Sequence, residues 1–253
     1  MNRMAQLVKK RQLAVNMLAY EAVMNETNSQ ADFFEEVADL GVTKIEVRRE
    51  YIHQEQDFSA IQRKASQLGI EIFYAVPEIL FEVELIPQIQ LEEYFKEAQQ
   101  LGAKQIKFTA GYTKEVTLQE VQLLTRLIKN YGIENLTLEN GQDSSFAEAE
   151  TVHQFIQALK EKQLPVSVTF DTGNCLYVNE DPLESFMLLK EDVSYVHLKD
   201  VSKDTLTPTL NGEGDVPLAD ILSQVSETVN IAIEYPLGED PTAILAEEIA
   251  KIS

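Results

Sequence analysis

Three short stretches of the chain end in a carboxylate in the same way. In LTLE, Thr137 and Glu139 alternate with Leu136 and Leu138; in VSVTFD, Ser167, Thr169 and Asp171 alternate with Val166, Val168 and Phe170; in IAIE, Ala232 and Glu234 alternate with Ile231 and Ile233. Successive side chains of a strand point to opposite faces. Each stretch therefore predicts one apolar face and one face of small or polar residues, with an acid closing the second face at the carboxyl end. SYVHLKD adds Tyr195, His197 and Lys199 on one face, which brings an imidazole to the three carboxylates. Oxygen and nitrogen donors without thiolates suit a divalent ion such as Mn, Mg, Co or Zn. The competing reading is that these acids cap loops or pair with Lys and Arg, as acidic residues ordinarily do at a surface.

Acids on separate strands converge only if the strands lie side by side. Eight short apolar, β-branched runs, at 13–18, 44–48, 71–76, 105–109, 135–139, 166–171, 194–199 and 230–235, alternate with segments of helical period. That is the pattern of strand–helix units around a parallel sheet. The helical segments ADFFEEVADLG, FSAIQRKASQLG, QLEEYFKEAQQLG and TLQEVQLLTRLIKNYG stop at Gly41, Gly69, Gly102 and Gly132, and Pro165 closes AEAETVHQFIQALKEKQLP. Glycine is favoured at a left-handed helix cap. The 253 residues match the usual length of a (β/α)8 barrel, and no low-complexity linker divides them. The expectation is an α/β protein with a single (β/α)8 TIM barrel domain over residues 1–253. GQDSS and SKDTLTPTLNGEGD follow strands five and seven, so they belong to the face where barrel active sites are built.

With 42 acidic against 21 basic residues and a formal net charge of -21, the surface repels a phosphate backbone, which excludes nucleic acid as a partner. Cys175 is the only cysteine, which rules out an intrachain disulfide and a cysteine-rich zinc site and points to a reducing cytoplasm. No run reaches the roughly 18 apolar residues of a spanning helix, so no membrane is expected. The opening MNRMAQLVKKRQLAVNMLAY, broken by Asn16 and followed by Glu21, reads as a lead-in and first strand.

The motifs KIEVRRE at 44–50, TLEN at 137–140, FDTGN at 170–174, YVHLKD at 195–200, NGEGDVPL at 211–218 and AIEYP at 232–236 resemble the xylose isomerase-like barrels. That family holds sugar phosphate isomerases and epimerases, inosose dehydratase and the AP endonuclease family 2 proteins, and the resemblance spans essentially the whole chain. It implies that Glu139, Asp171, His197 and Glu234 ligate one divalent metal ion. It further implies a small carbohydrate or sugar phosphate as substrate, with isomerisation or epimerisation through an enediolate and Glu139 and Glu234 as the acid/base pair. A homo-oligomer is compatible with the pattern. Expected substrate contacts are Asn174, which stands where the family commonly has a histidine, with Lys199 and Lys203 as cations at the mouth able to neutralise a phosphate or an enediolate oxygen. Glu46 and Arg48 share the inner parity of strand two and either line the pocket or form an ion pair.

Other departures are Lys203 as the nearest cation where the epimerases carry an arginine, and Ser145 where they carry a second glutamate. These changes argue against carrying over a free-ketose substrate. Only His53, His153 and His197 are present, too few for a multi-metal phosphodiesterase. His153 reads as a packing or solvated helix residue, His53 as a loop residue near the mouth, Cys175 as a small buried side chain, and NGEGD as a tight turn. Two alternatives stay open: a lyase acting on the same enediolate, as in inosose dehydratase, and a non-catalytic sugar- or inositol-derivative-binding barrel.

Overall fold

Alternation of apolar and polar residues closes the strands into a barrel. The computed structural model describes residues 7–9, 12–25, 27–82, 84–111, 115–143 and 146–253. Strands β1 (Leu13–Asn16), β2 (Lys44–Arg48), β3 (Glu71–Ile79), β4 (Gln105–Thr109), β5 (Asn135–Glu139), β6 (Val166–Asp171), β7 (Val193–Leu198) and β10 (Asn230–Ile233) form one closed parallel sheet in the order β1-β10-β7-β6-β5-β4-β3-β2. The first strand closes on the last, with Leu13 beside Ile231 and Ala14 beside Ala232. The chain is a single (β/α)8 barrel.

Helices α1 (Phe34–Asp39), α2 (Glu55–Leu68), α3 (Gln88–Leu101), α4 (Leu118–Tyr131), α5 (Ala149–Glu161), α6 (Asn174–Tyr177), α7 (Pro182–Leu189), α8 (Leu218–Gln224) and α9 (Pro241–Ile252) complete the alternation. The outward residues Leu136, Leu138, Val168, Phe170, Val196, Leu198, Ile231 and Ile233 are buried in the main core. Burying side chains of this kind stabilises by about 1.5–3 kcal/mol each, which drives the closure. Gly41, Gly69, Gly102 and Gly132 all have φ between 68° and 82°, the left-handed cap expected for them. Ahead of Pro165, Gln163 takes the same conformation, with φ 66°.

The barrel interior is separate and small. Ala14, Phe73, Tyr195 and Ala232 form its apolar floor, with the rings of Phe73 and Tyr195 edge-to-face at 5.2 Å. Four strands differ in extent from the sequence expectation: β3 runs on to Ile79, β7 is shifted to Val193–Leu198, and β1 and β10 end early. β1 stops at Asn16 because its side chain accepts the Leu18 N–H at 2.9 Å and starts a 3-10 helix over Met17–Val23. β10 stops at Ile233, leaving Glu234 at its end with its N–H on the Leu198 carbonyl at 3.2 Å.

The turn-rich stretch after β7 folds as an antiparallel ribbon of β8 (Asp200–Ser202) and β9 (Thr207–Thr209) followed by a tight loop. Asp200 organises that loop: Oδ1 accepts the N–H groups of Val201 and Val216, and Oδ2 those of Gly212 and Gly214, at 2.8–3.1 Å. A Cβ on Gly214 would stand 2.3 Å from Asp200 Oδ1, so only glycine fits that close approach. The NGEGD turn thus binds its own aspartate. Among the described residues no helix is long and apolar enough to cross a membrane.

Candidate functional site

Inner parity sends Glu46 and Arg48 (β2), Lys107 (β4), Glu139 (β5), Asp171 (β6), His197 (β7) and, at the end of β10, Glu234 into the carboxyl mouth. Lys199, just after β7, joins them. His197 lies at the centre, Nδ1 2.7 Å from Glu139 Oε1 and Nε2 2.7 Å from Glu46 Oε2. Burial works against charge on this ring, but the two carboxylates outweigh it and raise the imidazole to about 10. Lys107 Nζ donates to Glu139 Oε2 at 2.7 Å. Burial alone would raise the Glu139 carboxyl; Lys107 and His197 hold it well below the usual range.

Asp171 uses its two oxygens differently. Oδ1 accepts the N–H groups of Gly173 and Asn174 at 2.8 and 2.9 Å, which folds the chain sharply after β6. Oδ2 is buried without a hydrogen bond, and Lys199 Nζ lies 2.6 Å from it as an ion pair outside hydrogen-bond geometry. Burial lifts this carboxyl to about 6 against the pull of Lys199. Glu234 Oε1 accepts from Arg48 Nη1 at 2.7 Å, and Oε2 accepts from Lys199 Nζ at 3.3 Å. Burial is again outweighed, by Lys199, His197 and Arg48, and the Glu234 carboxyl is lowered. Glu46, Glu139, Asp171 and Glu234 thus face Arg48, Lys107, Lys199 and the imidazolium, a balance that makes so many buried acids tolerable.

The donor set fits a divalent ion. Glu139, Asp171 and His197 each place a ligand atom within 4.8 Å of the others, all three buried, and Asp171 Oδ2, paired with the Lys199 ammonium outside hydrogen-bond geometry, is the kind of oxygen a metal takes up. Glu234 lies outside that trio, engaged by Arg48 and Lys199.

The residues expected at the substrate fall in different places. Lys199 sits at the mouth between Asp171 and Glu234. Lys203 is exposed on the ribbon, its N–H on Asp215 Oδ2 at 2.7 Å. Asn174 is buried with both ends of its amide engaged: Nδ2 donates to the Asn140 carbonyl and Oδ1 accepts from Gln142, both at 2.9 Å. Asn140 in turn clasps the backbone of Asp171, so the asparagines of TLEN and FDTGN lock the ends of β5 and β6 together. Glu46 is 0% exposed and lies against protein groups. Ser145 lies outside the described residues. His53 is exposed, and His153 stands beside Asp192 at 3.5 Å.

Lys107 escaped the sequence reading although QIKFT carries its signal: a lysine at inner parity between Gln105 and Thr109, alternating with Ile106 and Phe108. A surface cleft of about 470 Å³ between α2 and α3 is lined by none of these residues, and its Arg49 is held by both oxygens of Glu97.

A family model described as "Xylose isomerase-like TIM barrel" matches residues 34–252. Among curated proteins, the uncharacterized protein YihM of Escherichia coli K12 is 20% identical over 184 residues. That match takes in 68% of this chain and 52% of the relative, so the chain accounts for about half the relative's length. Among solved structures, an L-ribulose 3-epimerase superposes with a TM-score of 0.72 at 14% identity, covering 95% of this chain and 92% of that one. The D-psicose 3-epimerase of Clostridium cellulolyticum H10, solved with D-tagatose, gives 0.69 at 12%, covering 94% and 96%. The probable 3-DHS dehydratase AsbF of Bacillus anthracis gives 0.70 at 16%, covering 94% and 97%. At these identities the likeness is one of fold.

Proposed function

The chain belongs to the xylose isomerase-like TIM barrel family, and on that premise we propose that it is a divalent-metal-dependent isomerase or epimerase acting on a ketose or sugar phosphate through an enediolate. The observation that carries this reading is the buried trio of Glu139, Asp171 and His197, whose ligand atoms lie within 4.8 Å of one another beside a fourth carboxylate held apart by its own cations. A bound divalent ion would polarise the substrate carbonyl and stabilise negative charge on the enediolate oxygens.

The chain's own residues supply the proton transfers. Glu139 and Glu234 are the acid/base pair. Their cationic neighbours hold both carboxylates ionised in the resting protein, so each starts as a base. Removal of a proton from one carbon with return to its neighbour gives isomerisation; return to the same carbon on its opposite face, by the other glutamate, gives epimerisation. Lys199, protonated and set between Asp171 and Glu234, supplies a donor for the oxygen side of the substrate. The same ammonium favours a second reading, dehydration, because it could protonate a departing hydroxyl.

The test is deuterium exchange from solvent into a panel of ketoses and sugar phosphates, followed by proton NMR on metal-stripped and Mn-loaded protein. Exchange should require metal and disappear in Glu139→Gln and Glu234→Gln with circular dichroism unchanged. No exchange by the loaded protein across the panel refutes the proposal. A dehydrated product identifies the lyase.

A further inference from the structure

Glu46 is fully buried inside the barrel, and its environment explains how a carboxylate is held there. Its Oε2 accepts three hydrogen bonds, from Asn16 Nδ2 at 2.7 Å, from the Tyr195 hydroxyl at 3.1 Å and from His197 Nε2 at 2.7 Å. β2 and β7 are not neighbours, since β1 and β10 lie between them in the sheet. The contact forms across the barrel interior. It is possible because the residues that β1 and β10 add to the floor are Ala14 and Ala232, whose small side chains leave room for a carboxylate and an imidazole to meet. The Tyr195 ring packs edge-on against His197 at 5.1 Å and restrains the ring from below.

We infer that Glu46 is a positioning residue: by accepting the Nε2–H of His197 it fixes the ring so that Nδ1 faces Glu139 and Asp171. An imidazole that gives one N–H to a buried carboxylate has its orientation and tautomer set, and its other nitrogen is left for a ligand. Asn16 and Tyr195 hold the carboxylate that holds the histidine, so the aim of Nδ1 is determined by residues that never meet the substrate. The consequence for metal binding rests on the function proposed above; the orientation itself does not.

The experiment has two arms. Mn(II) binding is measured by calorimetry on wild type, Glu46→Gln and Glu46→Ala. The His197 ring is read in the metal-free proteins by long-range proton–nitrogen NMR, assigned with His197→Gln among only three histidines. Glu46→Ala should weaken Mn(II) binding about 10- to 100-fold, the usual cost of losing such an outer partner. Glu46→Gln, whose amide oxygen still accepts Nε2–H, should stay within a few-fold of wild type. The Nε2–H resonance should be downfield and slow to exchange in wild type, shift upfield in Glu46→Gln and vanish in Glu46→Ala.

Equal Mn(II) affinity in wild type and Glu46→Ala overturns the inference and leaves the metal reading standing. If wild type binds no Mn(II) while the resonance behaves as described, the metal reading falls and the positioning role stands. A resonance unmoved in Glu46→Gln overturns the inference even where Glu46→Ala does not fold.

Discussion

Replacing Lys107 by Met keeps the volume of the side chain roughly constant and removes one charge. The ammonium is 4% exposed and lies 2.7 Å from Glu139 Oε2, in a residue 7% exposed. Breaking a buried ion pair by deleting one partner costs about 3–5 kcal/mol, because the other charge stays desolvated. Glu139 retains His197 Nδ1 at 2.7 Å, which places the expected loss at the lower end, about 3 kcal/mol. At roughly 2–4 °C per kcal/mol for a chain of this size, the melting temperature should fall by about 6–12 °C.

The loss also depends on pH. The folded-state pKa of Glu139 is held well below its ordinary 4.5, so its contribution is complete above that value and is lost progressively as pH falls from there through the lowered folded value. The gap between wild type and Lys107→Met should therefore be wide at neutral pH and narrow in acid. Urea unfolding followed by circular dichroism at pH 7 and at about pH 2.5, with chelator present, measures it. Adding Glu139→Gln to Lys107→Met should recover most of the loss, since no uncompensated charge remains. A loss under about 1 kcal/mol at pH 7, or one equal at both pH values, would refute the reasoning.

Asp200→Ala strips four backbone N–H groups of their acceptor and should destabilise by about 3 kcal/mol, with protection from hydrogen exchange lost over residues 211–216; unchanged protection there would count against the role given to Asp200. Gly214→Ala should open the same loop to limited proteolysis. The Cys175 thiol, 2% exposed and pushed by burial up to about 12, should resist iodoacetamide at pH 8 in the native protein and react in urea; stoichiometric labelling of the native state would contradict that. Mn(II) at about 100 times its dissociation constant should raise stability by about 2.7 kcal/mol, and His197→Ala should abolish the rise in a thermal melt.

Parity made the strands and the face of each site residue legible, because a period of two is written directly into LTLE, VSVTFD and IAIE, and the helix caps were legible because only glycine takes a left-handed turn without strain. What parity does not carry is partnership. It set Glu46 and Arg48 on the same inner face, yet one fastens His197 from below and the other pairs with Glu234 at the rim, a difference of one barrel layer. Lys107 was hidden for the same reason: a lysine inside a strand reads as solvated until a carboxylate from the next strand is known to lie 2.7 Å away. Asn174 is a further case, since its motif position does not reveal that its amide spans Asn140 and Gln142. The charge balance of the mouth depends on residues from β2, β4, β5, β6 and β7 and from the ends of β7 and β10. It becomes visible only when closure brings them together. Closure also decides which acids meet: Glu139 and Asp171 come from adjacent strands and converge with His197 on one point, whereas Glu234 lies across Lys199 and is tied to Arg48.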